Sequence, residues 1–214
     1  RQNTSKPVNL NFFCHELPQP DQNSEHTWRQ LLATYYEELG LVGSTTTTSV
    51  NRAPFNEATC EIVEEYQPEA VSFHFGLPAQ PFIDRVKAAG CSILASATTV
   101  EEARWLEDRG CDAVIAQGYE AGGHRGMFLA DDIMTQVGTM ALVPQIVDAL
   151  NIPVIAAGGI ADGRGLAAAF ALGAAGAQIG TAYLFTLESL ISDFHRRALG
   201  VAGDDSTAVT NLFT

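Results

Sequence analysis

Basic residues are scarce. Lys and Arg number 12 against 25 Asp and Glu in 214 residues, for a formal net charge of −13. Binding a phosphate backbone takes clustered Lys and Arg, and here they are scattered, which excludes a nucleic-acid partner. Cysteine is equally thin. Cys14, Cys60, Cys91 and Cys111 stand singly, with no CxxC pair and no His at metal-ligand spacing, so neither a zinc site nor a disulfide framework is signalled. No apolar run reaches the length of a membrane span, and no basic-then-apolar segment opens the chain. What these absences leave is a soluble cytoplasmic protein with reduced thiols, no metal and no membrane partner. With 46% hydrophobic residues it can bury the core of a single domain over 1–214.

What is present is an alternation of short apolar runs with longer helical patterns, the signature of βα units around a parallel sheet. Six runs read as strands buried on both faces: 8–13, 70–75, 91–95, 113–117, 154–157 and 175–179. Helical spacing covers 26–39, 55–66, 78–89, 100–109, 139–150 and 163–172, with Gly40, Gly90, Gly110 and Gly173 as stops. The Thr-rich stretch 43–54 reads equally as strand or loop. A TIM barrel needs eight such units, and phosphates in that fold sit on the loops after strands 7 and 8. If the late glycines Gly158-Gly159 and Gly180 form that site, the six runs are strands 3 to 8. The expectation is then an incomplete (β/α)8 barrel, lacking strands 1 and 2. A flavodoxin-type open sheet also accommodates six units, but its phosphate loop follows strand 1.

The segment AVIAQGYEAGGHRG runs a strand directly into a glycine-rich loop, which is where barrel enzymes keep their catalysts. His124 in that loop is a natural acid or base, because an imidazole changes charge near neutral pH; the alternative is a His that only packs the loop. Gln117 at the strand end can hydrogen-bond a heterocycle, whereas Glu120 and Arg125 read as structural. VIAAGGIADGRG places Gly158 and Gly159 at the next strand end with Asp162 as a helix cap. GAQIGTAYLF adds Gly180 and Thr181 one strand later. Backbone amides at such turns suit a phosphate, though each is also an ordinary βα turn. Neither turn carries a dinucleotide fingerprint or a Walker lysine. VSFHFGLP puts His74 at another strand end, as a group that orients a substrate anion or as a core histidine. In SATTVEEA, Thr98 or Thr99 reads as an N-cap, with Glu101 or Glu102 in the first turn. His15, His26 and His195 have no supporting constellation.

Together NLNFFCH (9–15), SFHFGLP (72–78), SATTVEEA (96–103), AQGYEAGGHRG (116–126), AAGGIADGRG (156–165) and GAQIGTAYL (176–184) resemble the nitronate monooxygenases, formerly 2-nitropropane dioxygenases. Those are FMN-dependent TIM-barrel enzymes, and six ordered motifs are far more specific than any one; the resemblance also implies that a C-terminal segment of the barrel is missing from this chain. The resemblance implies FMN contacts from Asn11, Gln117, Gly122, Gly123, Gly158, Gly159, Gln178, Ile179, Gly180 and Thr181, with Gly159, Gly180 and Thr181 at the phosphate. It implies that His124 is the catalytic base and His74 a substrate-site group. The implied activity is oxidation of an alkyl nitronate, such as propionate 3-nitronate, by bound FMN and O2 to a carbonyl compound and nitrite. EAGGH and the GGI turn also resemble flavin-dependent enoyl-ACP and quinone reductases that use NAD(P)H, which is the alternative reading.

Overall fold

In a strand, alternate side chains face opposite sides, so a run apolar at every position is buried on both. In the computed structural model, which describes residues 4–17, 21–41 and 53–210, all six runs form strands. They are β1 (Asn9–Phe13), β2 (Ala70–His74), β3 (Ser92–Ala97), β4 (Ala113–Gln117), β5 (Val154–Ala157) and β6 (Gly176–Gln178). All neighbouring pairs are parallel, and the spatial order is β1-β2-β3-β4-β5-β6. That sequential order has no topological switch point, so the flavodoxin-type alternative is ruled out and the barrel progression stands. Among the described residues β1 and β6 do not pair, and the barrel sheet is open.

The helices are α1 (Gln22–Leu31), α2 (Ala33–Glu38), α3 (Glu57–Tyr66), α4 (Gln80–Ala88), α5 (Val100–Asp108), α6 (Thr139–Ala149), α7 (Gly163–Ala171) and α8 (Asp193–Val201). Local chemistry sets their ends. Asn56 and Thr59 form a reciprocal capping box on α3, Thr99 caps α5, and Asp162 accepts from the amides of Arg164 and Gly165 to open α7. The four glycine stops adopt φ between 67° and 92°, the left-handed conformation of a helix C-terminus.

Two expectations are corrected. The single helix expected over 26–39 is two helices broken at Leu32, and it begins earlier because Asp21 accepts from the amides of Asn23 and Ser24. Neither helix buries a residue, so no packing enforces one continuous rod. Helix α8 was not anticipated at all; Ser192 caps it through the His195 amide, and it too buries nothing. Most of the Thr-rich stretch, 43–52, lies outside the described residues.

The core lies on one side of the sheet. Val71, Phe73, Ile93, Ala95, Val114, Ala116, Val154 and Ala156 pack against Val63, Ile83, Val86, Leu106, Leu142 and Ile146 from the helices. Phe55 meets Phe73 and Phe82 edge-on at 5.1 and 5.6 Å, the T-shaped geometry that aromatic quadrupoles favour.

Candidate active site

With one set of alternating side chains committed to the helices, the other set lines the opposite face, where polar residues stand among Phe13, Leu94, Ile115 and Ile155. Asn9, Asn11, Ser72, His74, Ser96, Gln117 and Gln178 all fall on it by register. Ser72 receives a hydrogen bond from Asn9 Nδ2 at 2.9 Å and donates to Asn11 Oδ1 at 2.8 Å, which uses its hydroxyl in both senses. Buried polar groups are expensive unless partnered, and this face partners them side by side.

The loop after β4 is folded back onto the strand that launches it. Gln117 Nε2 donates to the His124 carbonyl at 2.9 Å while its Oε1 accepts from the Gly126 amide at 2.7 Å. His74 Nε2 reaches the same carbonyl at 3.0 Å, and its Nδ1 lies 3.0 Å from Ser96 Oγ. Arg125 donates to the carbonyls of Gln117 and Gly118 and to Gln136 Oε1. Burial pushes the His74 pKa below its usual value; the bond to the His124 carbonyl opposes this, and the nearby charges of His124 and Arg125 reinforce it.

Two carboxylates hold the rest of the loop. Glu102, fully buried, accepts from the Thr98 amide and hydroxyl through one oxygen and from the amides of Phe128 and Leu129 through the other. Glu120 accepts from the Thr139 amide and hydroxyl at the start of α6, and that hydroxyl also reaches the Gly158 carbonyl at 3.1 Å. The structural reading of Glu120 and Arg125 therefore holds, but each bonds to the loop framework and not to the other.

The His124 ring is exposed and flanked by aromatics. Phe13 lies 5.1 Å from it and Phe75 6.0 Å, both edge-on, and the same two rings touch His15 and His74. Phe75 has φ +67°, a conformation that costs a non-glycine residue about 1–3 kcal/mol. This strained turn ends β2 and projects the Phe75 ring toward the His124 loop.

The structure thus joins His74, Gln117 and His124 in one cluster. Gly122 sits beside Thr181, whose hydroxyl would be 3.0 Å from a Cβ there, so the His124 loop meets the turn after β6. Gly159 lies near Glu120, and the exposed Gly123, Gly180 and Thr181 and the half-buried Ile179 border the same end of the sheet. Among the described residues the amides of Gly159, Gly180 and Thr181 have no hydrogen-bond partner. Gly158 is different: at φ +119° a Cβ would lie 2.7 Å from the Thr139 hydroxyl, making it a packing glycine. Asn11 stands apart at the β1 side, tied to Ser72. His26 pairs with Gln30 on α1. A groove lined by Leu77, Ile83, Trp105 and Arg109 lies on the helix side and contains none of these residues. Sequence reasoning missed Phe13, Phe75 and Glu102; the available signal for the first two was that each closes a run read as a strand, 8–13 and 70–75.

A family model described as nitronate monooxygenase matches residues 1–214. This chain belongs to the nitronate monooxygenase family. It is 44% identical to a nitronate monooxygenase of Paraburkholderia phytofirmans over 92% of this chain, and 40% identical to one of Pseudomonas aeruginosa over 97%. The chain spans 54% and 59% of those relatives' lengths. Nitroalkane oxidase from Streptomyces ansochromogenes superposes with a TM-score of 0.80 at 39% identity, over 92% of this chain and 56% of that one. FabK from Thermotoga maritima gives 0.67 at 32% identity, over 98% and 52%. Membership of the nitronate monooxygenase family implies a flavin. No helix of the described residues is long and apolar enough to cross a membrane, and no group of three His, Cys, Asp or Glu among them could hold a metal.

Proposed function

We propose that this chain carries the flavin-holding and proton-abstracting part of a cytoplasmic nitronate monooxygenase, with FMN as the flavin. Its substrates are an alkyl nitronate and O2, its products a carbonyl compound and nitrite. The observation that carries this reading is the exposed His124 imidazole, held at the strand ends by a loop whose backbone is fixed through His74, Gln117 and Arg125.

The residues fit the cofactor. Three open backbone amides, at Gly159, Gly180 and Thr181, supply anion-directed donors for the phosphate, and two of them are glycines whose missing Cβ leaves room for approach. The exposed side-chain amides of Asn11 and Gln178, with Gly122 and Gly123, offer hydrogen-bonding and close backbone approach to a planar ring. Bound FMN supplies the electron transfer from substrate to O2. The chain's own work is to hold that ring, exclude water with Phe13 and Phe75, and place His124. The imidazole takes the α-proton from a neutral nitroalkane; a nitronate arrives already deprotonated and needs only to be bound.

The test is O2 consumption and nitrite release by the FMN-loaded whole protein with propionate 3-nitronate. Turnover without NAD(P)H is expected. No O2 uptake, with rapid flavin bleaching by NADH instead, would assign reductase chemistry.

A further inference from the structure

Neither ring nitrogen of His74 remains for a substrate. A carbonyl oxygen only accepts, so the contact at 3.0 Å to the His124 carbonyl requires the proton on Nε2. Nδ1 of the neutral ring then accepts from the Ser96 hydroxyl at 3.0 Å. The ring is walled in as well. Phe75 lies 4.7 Å away and Phe13 5.7 Å, and a Cβ on Gly126 would approach Cε1 to 2.6 Å. Burial, with Arg125 and His124 nearby, disfavours an imidazolium and so keeps Nδ1 an acceptor. The carbonyl that His74 grips belongs to the residue bearing the exposed imidazole, and Gln117 grips the same oxygen at 2.9 Å from the strand.

We propose that His74 is a positioning residue: as a neutral Nε2–H imidazole it fixes the His124 peptide, and thereby the imidazole of His124, instead of binding the substrate anion. The proposal rests on the reading of His124 as the base. It separates two effects that a substrate contact would join. Loss of the His74 donor should harm the step that needs an accurately placed base and spare the binding of a substrate that needs none.

The experiment compares His74→Phe and His74→Gln in the FMN-loaded whole protein, with nitroethane and its preformed nitronate as substrates. His74→Phe keeps a ring and removes both hydrogen bonds; His74→Gln restores an N–H at the outer position. His74→Phe should lower kcat/KM on nitroethane by about 100-fold, while the nitronate KM stays within about 3-fold of wild type. His74→Gln should recover most of the nitroethane activity. Equal loss on both substrates, or a nitronate KM raised about tenfold at unchanged kcat, would overturn the proposal. If His74→Phe does not fold, Ser96→Ala carries the same comparison, because it removes the partner that orients the ring. Proton–nitrogen NMR of the imidazoles at neutral pH tests the geometry independently of turnover. An Nε2–H tautomer at His74, unchanged by added nitronate, supports the proposal even if the wild-type protein oxidises no nitronate. An Nδ1–H or doubly protonated ring contradicts it.

Discussion

At one end of the sheet, the glycines that anchor the loop after β4 and the glycine of the turn after β6 serve opposite purposes. In the loop after β4, a Cβ on Gly118 would overlap Thr139, and one on Gly126 would lie 2.6 Å from the His74 ring; these residues are small because neighbours fill the space. In the turn after β6, a Cβ on Gly180 would meet nothing within 4 Å, and its amide is open. The two ends of the first segment, Gly118 and Gly126, form a packed joint, whereas Gly180, like Gly123 at the tip of the first loop, is open and suits the proposed phosphate cradle. The comparison shows why glycine content alone cannot identify a ligand site: the same residue type serves close packing in one segment and backbone access in the other.

Substitutions can break this contrast. Gly118→Ala should destabilise the protein by about 3 kcal/mol, because the methyl overlaps both the hydroxyl and the backbone of Thr139 and the fixed start of α6 cannot yield. Chemical denaturation measures it, and a neutral result would mean the joint is loose. Gly180→Val should do the reverse, leaving stability within about 0.5 kcal/mol while weakening FMN binding about tenfold, since the added side chain enters the space a phosphate would occupy. Unchanged affinity by flavin fluorescence would deny the cradle. Gly180 is a cleaner probe than Gly159, whose φ of +67° would strain any replacement.

The smallest effect concerns pH. The His74 pKa is lowered in the folded protein relative to the unfolded value of about 6.5. Below that value the unfolded chain binds the proton first, so stability is retained above pH 6.5 and lost as the pH falls toward the folded pKa. Denaturation at about pH 7.5 and pH 5.5 should show this loss, and His74→Gln should reduce it. An identical slope in the variant would separate the joint from His74 titration.

The sheet was legible because buried parallel strands announce themselves as short apolar runs, and the glycine stops and the Asp162 cap were equally local signals. The Asp21 start and the Leu32 break were less visible, because α1 and α2 bury nothing that would impress a period on the sequence. At the site, His124 stood out by its setting in a glycine loop. The tertiary parts did not. Glu102 reads as an ordinary first-turn acid, yet its carboxylate bonds to amides 26 and 27 residues away. The partners of His74 lie 22 and 50 residues distant, so periodicity could place it at a strand end and say nothing of what it holds.

On the proposed function, the packed joint serves to present His124 as a base. The direct measurement is the ratio of activities of His124→Asn on nitroethane and on its nitronate, in the FMN-loaded whole protein. Nitronate oxidation should persist near the wild-type rate while nitroethane turnover falls by about 100-fold or more. Equal loss on both substrates would contradict it.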